Sequence, residues 1–80
     1  MSEEELWDTD EFVKVRALAN EFMSVKKIGR ISNSTHGEYV TIEFRAWTKE
    51  QHPTVFAECV GKEELYYMAL LDWNMDNYDA

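Results

Sequence analysis

The residues of this sequence with the most chemistry to offer are its carboxylates, and they gather at the two ends of the chain. Glu3, Glu4, Glu5, Asp8, Asp10 and Glu11 stand in the first eleven positions without a base among them. Glu63, Glu64, Asp72, Asp76 and Asp79 fall in the last eighteen, again without a base. Carboxylates three or four residues apart on a helix lie ~5–6 Å from one another. A row of them imitates the dense negative charge of a nucleic-acid backbone and competes for a basic groove. Trp73 and Tyr78 are interleaved with the last acids, and such side chains serve as apolar anchors of a binding surface. Other chemistry finds no foothold. His36, His52 and Cys59 lack the close ligand pairs of a metal site, so neither metal nor cofactor is expected. Ser32, Ser34 and Thr35 lie near His36, but without an oriented base or an oxyanion site they do not make an enzyme.

Composition sets the wider limits. The 80 residues hold 16 acids and 8 Lys or Arg, a net charge of −8, with 45% hydrophobic and 14% aromatic residues. A chain this aromatic folds, and one this short has room for one core, so residues 1–80 read as one domain. Residues 1–8 form an acidic lead-in and 74–80 an acidic tail. The field has the wrong sign for direct binding to nucleic acid or to an anionic membrane. The longest apolar run, Leu65 to Leu71, is too short to span a bilayer, which takes about 20 residues. The acidic start is unlike a secretory signal, and a lone cysteine, Cys59, fits a reducing cytoplasm. Charge alternates by region, because residues 12–37 carry five bases against Glu21 alone.

The elements that hold these residues follow from periodicity. Phe12, Val15, Leu18, Phe22 and Val25 recur at helical spacing and predict a helix from about residue 9 to 27. Asp8 with Glu11 reads as a capping box, Trp7 with Phe12 as a hydrophobic staple, and Gly29 as the stop. Ile28 to Thr35 reads as a weak strand, and His36-Gly37 as a turn. Tyr39 to Trp47 alternates, with Val40, Ile42, Phe44 and Ala46 on one face and Tyr39, Arg45 and Trp47 on the other, so it reads as a strand. Thr54 to Val60 follows Pro53 as a third strand. Gly61 then breaks the chain before a broadly apolar helix from about Lys62 to Trp73. The expected fold is α+β: helix, three-stranded antiparallel meander, helix, in two layers.

That order of elements resembles the double-stranded RNA-binding domain. The lysine cluster that opens that family's last helix is replaced here by Gly61-Lys62-Glu63-Glu64, so its activity does not carry over. In size, charge and simple make-up the chain also resembles the small inhibitors that phages direct at bacterial immunity, the anti-CRISPR proteins. The resemblance implies a non-catalytic inhibitor acting in the cytoplasm of the host cell. Its partner would be a CRISPR effector or another nucleic-acid-binding complex, met through Glu3, Glu4, Glu5, Asp8, Asp10, Glu11, Glu63, Glu64, Asp72, Trp73, Asp76, Tyr78 and Asp79. The alternative is a small acidic interaction module, such as an antitoxin or a regulatory subunit. Either works as a monomer or a homodimer.

Overall fold

A computed structural model describes residues 9–78. Among these residues lie four helices: α1 (Asp10–Lys26), α2 (Ser34–Gln51), α3 (Pro53–Glu58) and α4 (Glu64–Tyr78). Among the described residues there is no strand, so the expected α+β meander is wrong, and with it the likeness in element order to the RNA-binding domain.

The first helix forms where its apolar spacing places it, with Phe12, Val15, Ala19, Phe22 and Met23 buried along one side. Its start differs by one residue from the expected cap. Thr9 is the N-cap, and its side chain accepts from the Phe12 N–H at 3.2 Å. Trp7 and Asp8 lie outside the described residues. The helix stops at Lys27 rather than Gly29. Lys27 takes a left-handed conformation (φ 57°), and the next N–H, of Ile28, donates to the Met23 carbonyl at 3.0 Å.

The segment expected to form two strands is α2 with its approach. Asn33 caps α2 by accepting from the His36 N–H at 2.8 Å, and His36 Nδ1 accepts in turn from the Ser32 N–H at 3.1 Å. These reciprocal bonds give the polar run before the helix the job of starting it. Gly37 is helical, not a turn. A Cβ there would sit 3.4 Å from Ile31 Cγ2 and 3.6 Å from Tyr67 Cε2, ordinary contact distances, so the site packs against the linker and α4 without requiring a glycine. Gly37, Val40, Phe44 and Thr48 recur at helical spacing and are the buried residues of α2. Val40 and Phe44 fit a strand of period two equally well, whereas Ile42, the expected core residue between them, is 65% exposed. The expected third strand is α3, opened by Pro53, where a missing N–H costs nothing.

Polar contacts between helices reveal their directions. Lys62, just before α4, lies 3.5 Å from Glu11 at the start of α1. Ile31, past the end of α1, donates its N–H to Asn74 near the end of α4 at 2.8 Å. Helices α1 and α4 are therefore parallel. His52 at the start of α3 meets Glu21, and Glu58 at its end meets Lys14, so α3 runs antiparallel along α1. Leu65, Tyr66, Ala69, Leu70 and Trp73 of α4 close the core over α1 and α2. Its centre is aromatic: Phe22 and Phe44 have ring centroids 5.0 Å apart, and Phe44 meets Tyr66 edge-on at 5.5 Å. Trp47, expected on an open sheet face, instead packs on Phe22 and His52. No helix among the described residues is long and apolar enough to cross a membrane.

Candidate protein-binding surface

Because α1 and α4 are parallel, both present their N-termini at the same end of the molecule. Asp10 and Glu11 occupy the first turn of α1, and Glu64 opens α4. Glu63 precedes α4, and its Oε1 accepts from the Gly61 N–H at 3.2 Å. The end of α3 brings Glu58 to the same place, a carboxylate outside the two acidic ends of the chain. Five carboxylates thus share one pole with two ammonium groups, Lys14 at 2.9 Å from Glu58 and Lys62 at 3.5 Å from Glu11. Two positive helix ends lower the cost of crowding the acids there. Bonding to its own backbone N–H holds Glu11 below the ordinary carboxylate range, helped by Lys62. Glu63 is lowered likewise by its own N–H and that of Gly61. Both are charged at neutral pH. Beneath the pole lies Cys59, buried, its thiol pushed up first by burial and then by Glu11.

The C-terminal acids meet a different fate. Helix α4 continues through Tyr78, so Asp72 and Asp76 sit within it, one turn apart. Arg16 of α1 reaches both: its Nε donates to Asp72 at 2.7 Å and its Nη2 to Asp76 at 2.8 Å. Its Nη1 donates to Asn20 at 2.8 Å. Two of the expected binding carboxylates are therefore occupied in fastening α4 to α1. Trp73 is 7% exposed and belongs to the core, so its ring is not displayed to a partner. Tyr78 is the last residue of α4. Glu3, Glu4, Glu5, Asp8 and Asp79 lie outside the described residues. Asp10, Glu11, Glu63 and Glu64 come together at one pole, while Asp76 lies about 18 Å along α4 from Glu64 at 1.5 Å per residue.

Arg16→Ala would leave Asp72 and Asp76 facing each other toward the negative end of α4. It is expected to lower stability by about 1–2 kcal/mol, read from a urea midpoint. An unchanged midpoint would mean that the guanidinium fastens nothing. For the same reason, reversing Asp72 and Asp76 to Lys would set two ammonium groups against Arg16 and disturb the fold itself.

Among the described residues no three of His, Cys, Asp and Glu are placed to hold a metal, and no ligand-sized pocket opens. The described residues form a small helical domain with an acidic pole. Comparison with protein families, curated proteins and solved structures finds no match to the chain.

Proposed function

We propose that the chain is a non-catalytic, anti-CRISPR-like inhibitor. It acts in the cytoplasm of a host cell by docking its acidic pole into the basic groove of a nucleic-acid-handling complex. One observation supports this reading above the others. Asp10, Glu11, Glu58, Glu63 and Glu64, from three different helices or their approaches, gather at one end and outnumber Lys14, Lys62 and the Arg45 guanidinium that acts on Glu63. A groove built for phosphates attracts such a pole over a Debye length, ~10 Å at 0.1 M salt. Its arginines and lysines then exchange counterions for carboxylates. No proton transfer or bond making is asked of the pole, only charge held in place.

The double variant Asp10→Lys/Glu64→Lys changes the pole by four charges without touching the core. Binding to the complex should fall about tenfold or more while the far-ultraviolet circular dichroism stays that of the parent. The complex itself is obtained by affinity capture from host lysate at low salt, eluted with a salt gradient and with competing DNA, and identified by mass. A nucleic-acid-handling protein that elutes early and yields to DNA supports the proposal. A salt-resistant partner, indifferent to DNA and to the double variant, overturns it in favour of an adaptor such as an antitoxin or regulatory subunit.

A further inference from the structure

His52 alone joins α2 to α3. Its N–H ends α2 by donating to the Thr48 carbonyl at 2.8 Å, and its carbonyl starts α3 by accepting from the Phe56 N–H at 3.0 Å. No side chain caps α3, and none of its six residues is buried; Val55 and Phe56 only lean on the core. Two charged contacts hold this helix to α1, one at each end. His52 Nε2 lies 3.4 Å from Glu21 Oε2, and Glu58 lies 2.9 Å from Lys14. The second joins an ammonium to a carboxylate and does not change near neutral pH. The first does, because an imidazole gains or loses its charge between about pH 5 and 8.

We propose that His52 is a pH-operated fastener for α3. Protonated, it binds Glu21 and holds the start of α3 on α1. Neutral, it leaves that end to the packing of Val55 and Phe56. Its surroundings suit the charged ring. The Trp47 ring centroid lies 5.3 Å away, within reach of a cation–π contact, and the C-terminal end of the eighteen-residue α2 favours a cation. The start of the short α3 opposes one. Glu21 is the one carboxylate in ion-pair contact with His52 among the described residues. Lys49 of α2 is held over the Phe56 ring at 5.9 Å, and Glu50 is exposed. The contribution is present on the acid side of the imidazole range and is lost as pH rises through it. It is small, since the two side chains are 34% and 53% exposed. His36 works in the opposite direction: its Nδ1 accepts from the Ser32 N–H, a bond that needs the neutral ring. The stability of the whole chain therefore mixes two opposing contributions, and only a measurement on the His52 pair separates them. This device does not depend on the function proposed for the acidic pole.

A double-mutant cycle of His52→Gln and Glu21→Gln, read by urea unfolding of the intact chain at about pH 5.5 and about pH 8, isolates the pair. The coupling, taken as a ratio of unfolding equilibrium constants, should be about threefold at the lower pH and close to one at the higher. Amide hydrogen exchange places the effect in the fold. Protection of the Phe56 N–H, measured against the intrinsic rate at each pH, should fall about threefold between the two conditions in the parent. In His52→Gln it should stay level. A coupling absent at the lower pH, or equal at both, overturns the fastener. So does a Phe56 amide that loses as much protection in His52→Gln as in the parent.

Discussion

Phe44→Ala should lower stability by about 3–5 kcal/mol and leave the chain close to unfolded at 25 °C. Phe44 is 0% exposed and joins three helices at once. Its ring lies 5.0 Å from Phe22 of α1, 6.2 Å from Trp47 of its own helix and 5.5 Å from Tyr66 of α4. Removing it empties the meeting point of these elements, and rigid helices cannot close the gap. A domain of this length has only ~4–12 kcal/mol in hand, so one such cavity consumes a large share. Urea unfolding followed by circular dichroism measures the loss. A change under about 1 kcal/mol would mean that the aromatic cluster does not hold the helices together. The same truncation at Leu18, which sits half-buried at the edge of the core, should cost less.

The second large effect is a loss of stability on the alkaline side that Tyr66→Phe should blunt. The Tyr66 hydroxyl is buried without a hydrogen-bond partner of good geometry, and its polar neighbour is the weakly bonding Cys59 thiol. Burial pushes the phenol from its ordinary 10 up to about 12, and burial also raises the Cys59 thiol. In both groups the folded chain resists losing a proton that the unfolded chain gives up readily. Stability is therefore full below about pH 9 and falls as pH rises through the unfolded values, first for Cys59 and then for Tyr66. Lys14 adds to the same limb, since its bond to Glu58 raises its pKa above the ordinary 10.5 and that benefit disappears as it deprotonates. On the acid side, Glu11 and Glu63 are lowered, so their contribution holds above about pH 4.5 and is lost as pH falls below it. Tyr66→Phe deletes an unpaired buried hydroxyl, so it should gain about 1 kcal/mol at neutral pH and lose less between pH 10 and 12. A variant that melts earlier than its parent at pH 7 would show that the hydroxyl has a partner worth keeping.

Helix α1 was legible because its apolar residues fit one period only, and Gly61 marked the approach to α4 by its need for a positive φ (85°). Helix α2 was not, and the reason lies in a few side chains. Val40, Ile42, Phe44 and Ala46 alternate, and Val, Ile, Phe, Tyr and Trp are the residues that favour strands. What decided the outcome was tertiary: only a helix puts Gly37 on one face with Val40, Phe44 and Thr48 and turns Ile42 outward, and that face is the one α1 and α4 cover. A local signal was present as well, since Asn33 followed by Ser34 and Thr35 is N-cap chemistry, but His36-Gly37 read more strongly as a turn. The acidic pole was half legible. Asp10, Glu11, Glu63 and Glu64 stood out by charge, yet their meeting depends on two helices being parallel, which no local spacing reports. The pairing of Arg16 with Asp72 and Asp76 spans more than fifty residues and left no mark in either neighbourhood.

The parallel packing of the first helix on the fourth also governs how the chain is made. Synthesis delivers α1, α2 and α3 before α4, yet Leu65, Tyr66, Ala69, Leu70 and Trp73 of α4 supply the cover for Phe22 and Phe44. Until α4 leaves the ribosome, the nascent chain holds those rings without their lid and Arg16 without its two carboxylates. The decisive step of folding therefore waits for α4, and a chain halted before α4 is a substrate for chaperones and proteases rather than a smaller version of the protein.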